Sequence, residues 1–274
     1  MSTKIDQINL GVEDVDSARR FYEHALGGVV RSEHEALAVS LGPNASRLAL
    51  RPWDSVAAEA GVEAKTSGFR AFTLSFILDS ADAVDAVLAR AERHGGTVSK
   101  PPKTAFWGYS AYVTDPSGYL WKIASAKRRP LLGRTGPAAT NGRAIKPQEV
   151  PITIGVADMK RSKEFYKDGL GLPVKKAFGN KFVMFSGTGG TSDLGMYKRA
   201  ALADDAAVQP EGSGFRGFTI THTVGSGERV DALLAAAERA GGRVVKPATV
   251  AEPAGYSGFF PDLDGNLWQI SARS

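Results

Sequence analysis

Apolar residues alternate with small or polar ones over Lys4 to Val12, Ala71 to Leu78 and Tyr119 to Ser125, the period of a strand covered on one face. Successive strand residues point to opposite faces, so the alternation assigns sides. In the first stretch Ile8, Leu10 and Val12 form the apolar face, and Gln7, Asn9 and Gly11 oppose it. In the second, Phe72, Leu74, Phe76 and Leu78 oppose Thr73 and Ser75; in the third, Tyr119, Trp121 and Ile123 oppose Leu120, Lys122 and Ala124. Two other stretches carry helical spacing. Val15 to Leu26 puts Val15, Ala18, Tyr22 and Ala25 on one stripe, with Asp14 as N-cap and Gly27-Gly28 as stop, and Ala81 to His94 also ends in a glycine pair.

The chain then repeats itself. Asp14-Val15-Asp16-Ser17-Ala18-Arg19-Arg20-Phe21-Tyr22, ending Leu26-Gly27, returns 144 positions later as Asp158-Met159-Lys160-Arg161-Ser162-Lys163-Glu164-Phe165-Tyr166, ending Leu170-Gly171. Gly68-Phe69-Arg70 returns as Gly214-Phe215-Arg216, and Asp115-Pro116-Ser117-Gly118-Tyr119-Leu120-Trp121 as Asp262-Leu263-Asp264-Gly265-Asn266-Leu267-Trp268. Self-similarity at a near-fixed offset decides architecture before local structure does. Each half reads as strand, helix and three short strands, twice over. The expected fold is α+β: four βαβββ modules forming two curved mixed-sheet cups with helices on the outer face. The expected domains are residues 1–126 and 149–274, each with two modules, joined by a linker over 127–148. In the second half Thr153, Thr219, Thr221, Thr223, Leu267 and Gln269 occupy the polar strand face.

These motifs resemble the vicinal-oxygen-chelate superfamily, the fold of glyoxalases, bleomycin-resistance proteins and extradiol dioxygenases. The helix Asp-x-x-x-(Ser/Ala)-x-x-Phe-Tyr-x-x-x-Leu-Gly, present twice, and the two Asp-x-x-Gly-x-Leu-Trp strand openings carry the likeness, with Phe106-Trp107-Gly108-Tyr109-Ser110 in support. The resemblance implies a small-molecule site inside a cup and, in metal-dependent relatives, His, Gln or Glu at inward strand positions. Here those positions fall on Gln7, Ala49, Thr73 and Lys122 in the first half and on Pro151, Gly195, Thr219 and Gln269 in the second. Divalent metals require several imidazole nitrogens or carboxylate oxygens converging at bonding distance, and an ammonium at Lys122 repels a cation. No metal ligand and no cofactor is expected; a divalent metal enters only under the alternative reading below.

The four histidines do not change this. His24 and His94 fall near helix ends and His34 in a turn, while alternation puts His222 on the helix-facing side with Phe218 and Ile220. There is no cysteine nucleophile, no glycine-flanked serine elbow, and no pair of carboxylates projecting from the cup strands. Gly187-Thr188-Gly189-Gly190 lacks the Lys-Ser/Thr of a phosphate loop and reads as a hairpin turn.

Composition bounds the remainder. An apolar fraction of 43% and a charged fraction of 23% fit a globular chain with no membrane span. The net charge of +5 resides in the linker, where Lys127, Arg128, Arg129, Arg134, Arg143 and Lys146 sit among glycines and prolines. That pattern predicts a solvated segment and no nucleic-acid face. The N-terminal residues and absence of cysteine predict a cytoplasmic protein, monomeric or homodimeric.

What remains for chemistry is a pocket of aromatics and neutral polar groups. Trp53, Phe106, Trp107 and Tyr109, with Phe182, Met184, Tyr197 and Tyr256, are candidates for stacking on a flat ligand. Gln7, Asn9, Thr73, Ser75, Thr153, Thr219, Thr221 and Gln269 are candidates for polar contacts. Lys122 is the candidate for an anionic or carbonyl group, and the only catalytic candidate. The expected function is metal-independent binding or sequestration of a planar or aromatic metabolite, in the manner of bleomycin-resistance proteins. Two alternatives stay open at this point: a glyoxalase-like lyase, isomerase or dioxygenase with a non-standard metal set around Gln7 or Gln269 or with Lys122 acting alone, and a scaffold assembling through sheet edges.

Overall fold

A computed structural model describes residues 3–106, 108–128, 145–251 and 255–272. The first module comprises β1 (Gln7–Val12), α1 (Val15–Arg20), β2 (Val29–Glu33), β3 (Ala36–Ser40) and β4 (Arg47–Pro52), followed by a short helix α2 (Trp53–Ala60) and a strand β5 (Thr66–Gly68). The second comprises β6 (Phe72–Leu78), α3 (Ala81–Arg93), β7 (Thr97–Ala105), β8 (Gly108–Thr114) and β9 (Leu120–Ser125). The third holds β10 (Ile152–Val156), α4 (Met159–Glu164), β11 (Val174–Phe178), β12 (Phe182–Phe185) and β13 (Leu194–Lys198), then α5 (Arg199–Ala206) and β14 (Gly212–Gly214). The fourth holds β15 (Phe218–Val224), α6 (Gly227–Arg239), β16 (Lys246–Ala251), β17 (Gly255–Pro261) and β18 (Leu267–Ala272).

Each half supplies one module to each sheet. One eight-stranded sheet runs β16-β17-β18-β15-β1-β4-β3-β2 and the other β11-β12-β13-β10-β6-β9-β8-β7. The junctions are antiparallel: Gln7 lies opposite Thr221 and Asn9 opposite Thr219 in cup I, and Thr73 lies opposite Thr153 in cup II. Cup I therefore combines the first and fourth modules and cup II the second and third, a pairing that the sequence pattern left open.

Within each half the two modules are joined through their helices. α1 begins at Asp14, whose carboxylate accepts from the N–H groups of Asp16 and Ser17, and α4 repeats this cap at Asp158. Such a cap contributes about 1 kcal/mol. Both helices loosen into a single π turn, Phe21–Ala25 and Phe165–Gly169, ahead of Leu26-Gly27 and Leu170-Gly171. These turns pack against α3 and α6 respectively, so that each half buries its helices between its two sheet portions. The first-half contact includes the fully buried Tyr22 against Trp121, ring centroids 5.8 Å apart. The second-half counterpart sets Tyr166 against Trp268 at 5.9 Å. The cycle of modules thus closes through alternating sheet and helix contacts. At its middle Phe72 and Phe218, equivalent residues of two modules, stack with centroids 3.9 Å apart.

The sides read from alternation hold. Ile8, Leu10, Val12, Phe72, Leu74, Phe76, Trp121 and Ile123 are buried in the helix-covered core. His222 joins that side as a buried, hydrogen-bonded residue, its Nδ1 3.2 Å from Asp6 Oδ2. The sequence reading contained no counterpart of α2 and α5. Each lies against the concave face of a sheet: α2 buries Val56, Ala57 and Ala60 with Phe259 and Leu267 of cup I, and α5 buries Leu202, Ala203 and Ala206 with Tyr112 and Leu120 of cup II. Among the described residues no helix is long and apolar enough to cross a membrane.

Candidate binding site

In cup I the inward residues form one hydrogen-bonded chain. Gln7 Nε2 donates to Asn9 Oδ1 at 2.6 Å, and Asn9 Nδ2 donates to the hydroxyls of Thr219 at 2.9 Å and Thr221 at 3.1 Å. The Thr221 hydroxyl donates to Gln269 Oε1 at 3.0 Å, and Gln269 Nε2 to Glu59 Oε1 at 3.2 Å. Glu59 comes from α2 and is ion-paired with Arg51 of β4. Asn9, Thr219, Thr221 and Gln269 are all buried, so each bond replaces solvation that the fold has removed.

Cup II places different chemistry at the equivalent positions. Lys122 Nζ lies 2.5 Å from Asp205 Oδ2, and the same oxygen accepts from the Tyr112 hydroxyl at 2.6 Å. Lys100 Nζ donates to the backbone carbonyl of Asp205 at 2.5 Å. Burial raises the Asp205 carboxyl, but the Lys122 charge, with hydrogen bonds from Lys122 and Tyr112, more than offsets this and holds it below the ordinary value. Burial and the Asp205 charge push the Tyr112 phenol far above its usual range, which fixes it as a neutral donor.

Beside this pair stands an aromatic wall. Phe182 faces Tyr197 with centroids 4.8 Å apart and Phe178 at 6.1 Å. Phe178 and Tyr197 remain 49% and 37% exposed, unusual for large apolar rings on a concave face. Beneath them lies Gly195, flanked by Met184 on β12 and Thr153 on β10. A Cβ built there would meet Thr153 Oγ1 at 3.2 Å and Phe182 Cε2 at 3.4 Å. The ring thus occupies the space above one position at which the resemblance implies a metal ligand.

The modules' pairing re-sorts those implied positions. Cup I receives Gln7, Ala49, Thr219 and Gln269; cup II receives Thr73, Lys122, Pro151 and Gly195. A divalent cation does not fit either set. In cup I the side-chain oxygens of Asn9 and Gln269 already accept hydrogen bonds, and Arg51 neutralises Glu59. In cup II the carboxylate is neutralised by Lys122. Among the described residues no three His, Cys, Asp or Glu side chains gather in a way that holds a metal.

The remaining sequence candidates divide. Thr73 and Ser75 are buried on the cup II face. Trp53 opens α2, donates its indole N–H to Ala64 O at 2.7 Å and packs edge-on against Phe215, so it braces the junction of the cups. Tyr109 and Tyr256 lie on the helix-covered face, a correction to their place among the pocket aromatics: their hydroxyls donate to Asp85 of α3 and Asp231 of α6. Phe106 is 75% exposed at the β7–β8 turn, where Arg128 lies over its ring. Trp107 lies outside the described residues, as does most of the basic linker. Sequence reasoning missed Tyr112, Phe178, Asp205, Glu59 and Arg51. For Tyr112 the signal was present, since Tyr109, Ala111 and Val113 alternate with it in β8.

The family model of the glyoxalase/bleomycin resistance protein/dioxygenase superfamily matches residues 4–123 and 150–270. Glyoxalase I from Zea mays superposes with a TM-score of 0.68 at 15% identity, over 99% of this chain and 92% of the maize one. A dioxygenase-like protein from Bacillus subtilis superposes with a TM-score of 0.63 at 16% identity, over 99% of this chain and 86% of that one. At such identities the likeness is one of fold. No curated protein sequence matches the chain. With the superfamily model spanning both repeats, the chain belongs to the glyoxalase/bleomycin resistance protein/dioxygenase superfamily.

Proposed function

We propose that this protein binds a small planar or aromatic metabolite in cup II without a metal, sequestering it in the manner of the bleomycin-resistance branch of its superfamily. The observation that carries this reading is the Phe182 ring seated over Gly195, flanked by the exposed rings of Phe178 and Tyr197. A flat ligand extends this row by stacking, each well-placed ring contact adding about 0.5–1.5 kcal/mol beyond its buried area. The Lys122–Asp205 pair at the edge supplies a donor and an acceptor for the ligand's polar groups. Cup I serves instead as a rigid counterpart, since its inward side chains are bonded to one another.

The test is a fluorescence titration of the full chain with a bicyclic aromatic such as naphthol, with and without chelator. The reading expects saturable binding near one equivalent, insensitive to chelator and weakened about tenfold by Phe182→Ala or Tyr197→Ala. Chemical conversion of the bound compound, or binding that needs added metal, contradicts it.

A further inference from the structure

Where the N-terminal segment, the end of β15, α6 and the β12–β13 turn meet, a cavity of about 370 Å³ opens on the helix side of cup I. His222 of β15 lines it while remaining only 6% exposed. Its Nδ1 faces Asp6 Oδ2 at 3.2 Å, and the same carboxylate accepts from Thr223 N at 2.9 Å and pairs with Lys4 at 3.0 Å. Burial raises the Asp6 carboxyl, but the hydrogen bonds from His222, Thr223 and Lys4 more than offset this and hold it below the ordinary value. An ionised carboxylate only accepts, so the ring proton sits on Nδ1 and Nε2 is turned away from Asp6. Nε2 makes no hydrogen bond among the described residues, and it is not sealed in the core as the partnerless buried nitrogens are, so the cavity is where it meets a partner.

The repeat shows that the fold does not require this arrangement. The register that sets Asp6 beside His222 sets Val150 beside Phe76 in cup II, and both of those residues are buried and apolar. Gln148 stands at the position of Lys4 and Ala83 at that of Arg229. Polar and charged groups therefore occupy one of two equivalent corners, around a space whose lining holds Lys4 and Arg229 and, among the described residues, no carboxylate. Lys4 is committed to Asp6, whereas Arg229, on the first turn of α6, makes no ion pair among the described residues.

We infer that this cavity is a ligand site separate from the two cups, one that takes a small monocarboxylic acid with a compact aliphatic body. One carboxyl oxygen meets His222 Nε2 with the acid proton between them, whichever of the two holds it, and Arg229 supplies charge for the anion. Val224 and Leu233 receive the body, and among the described residues no Phe, Tyr or Trp lines the space to favour a ring. With Lys4 taken by Asp6, the single unpaired cation favours one negative charge over two.

The test is an NMR titration of the full chain with three probes: 3-methylbutanoate, its neutral analogue 3-methylbutanamide, and inorganic phosphate. Saturable binding of 3-methylbutanoate in preference to both others, with the His222 ring signals moving along the titration, is the expected result. Arg229→Ala, which installs the residue of the other corner at an exposed position, should weaken binding about tenfold with thermal unfolding unchanged. The double variant Asp6→Val/His222→Phe, which copies the cup II pair, should abolish binding. Phe182→Ala should leave it intact, which separates this site from the cup II reading. Absence of 3-methylbutanoate binding, equal binding of the amide or phosphate, unmoved His222 signals, or binding indifferent to Arg229→Ala overturns the inference.

Discussion

The hydroxyl of Tyr22 donates a 2.9 Å hydrogen bond to Asp115 Oδ2, joining the two most specific sequence motifs of the first half in one buried contact. Tyr166 and Asp262 repeat it at 2.5 Å in the second half. In both repeats the helix and the strand opening therefore carry these residue types for a packing reason: the phenol and the carboxylate satisfy each other where water is absent. Phenylalanine at Tyr22 leaves Asp115 Oδ2 without that donor, and we expect a loss of about 1–3 kcal/mol in denaturant unfolding.

The same contact sets a pH dependence. Burial raises the Asp115 carboxyl from 3.8 to about 6, against the hydrogen bonds from Tyr119, Tyr22 and Ser117. The folded state then binds this proton more tightly than the unfolded chain. The group destabilises the fold above pH 6, by about 3 kcal/mol, and this penalty disappears as pH falls toward 4. Asp262 is raised in the same direction by burial. Asp6 and Asp205 are lowered, so their stabilisation is present above the ordinary carboxyl value and is lost as pH falls through their folded values. Urea midpoints measured from pH 7.5 down are expected to rise to a maximum near pH 4–5 and then fall. Asp115→Asn should flatten the rise, and an unchanged slope in that variant contradicts the assignment.

Cup I is expected to be structural. Thr221→Val removes the acceptor for Asn9 and the donor to Gln269, which predicts a loss of about 1–3 kcal/mol of stability with no change in cup II binding. Loss of naphthol binding in a folded Thr221→Val protein places the ligand in the wrong cup.

The Lys122–Asp205 pair is half exposed, with side chains 28% and 46% accessible, so Lys122→Gln is expected to cost less than about 1 kcal/mol. Its effect belongs to the ligand. Weakened binding with near-constant thermal stability supports a contact role, and unchanged binding removes Lys122 from the site.

Gly195→Ala probes the floor beneath the aromatic wall. The added carbon sits at 3.2–3.4 Å from Thr153 and Phe182, so the ring has to shift by a few tenths of an ångström. A small stability change and a lower affinity for flat ligands are expected.

Much of this was legible in the sequence because period-2 alternation and the repeat report burial directly. Gln7, Asn9, Thr73, Lys122, Thr219 and Gln269 all fall on the concave faces assigned to them. Module pairing was not legible, since β1 can match the pattern of β6 or β15 equally well. α2 and α5 escaped notice because they are short and start at Pro52 and Lys198 without a side-chain cap. Missing them hid Glu59 and Asp205, carboxylates that meet Gln269 and Lys122 on the concave faces. Aromatic character alone places Tyr109 and Tyr256 in the pocket, whereas strand parity turns both toward the helices.

The most direct test of metal-free binding is elemental analysis together with native mass spectrometry on protein purified without chelators or tag-derived metal. No stoichiometric metal, and a chain able to retain an organic molecule in cup II, are the expected results. Near one equivalent of bound metal contradicts it and returns the lyase or dioxygenase readings to the front.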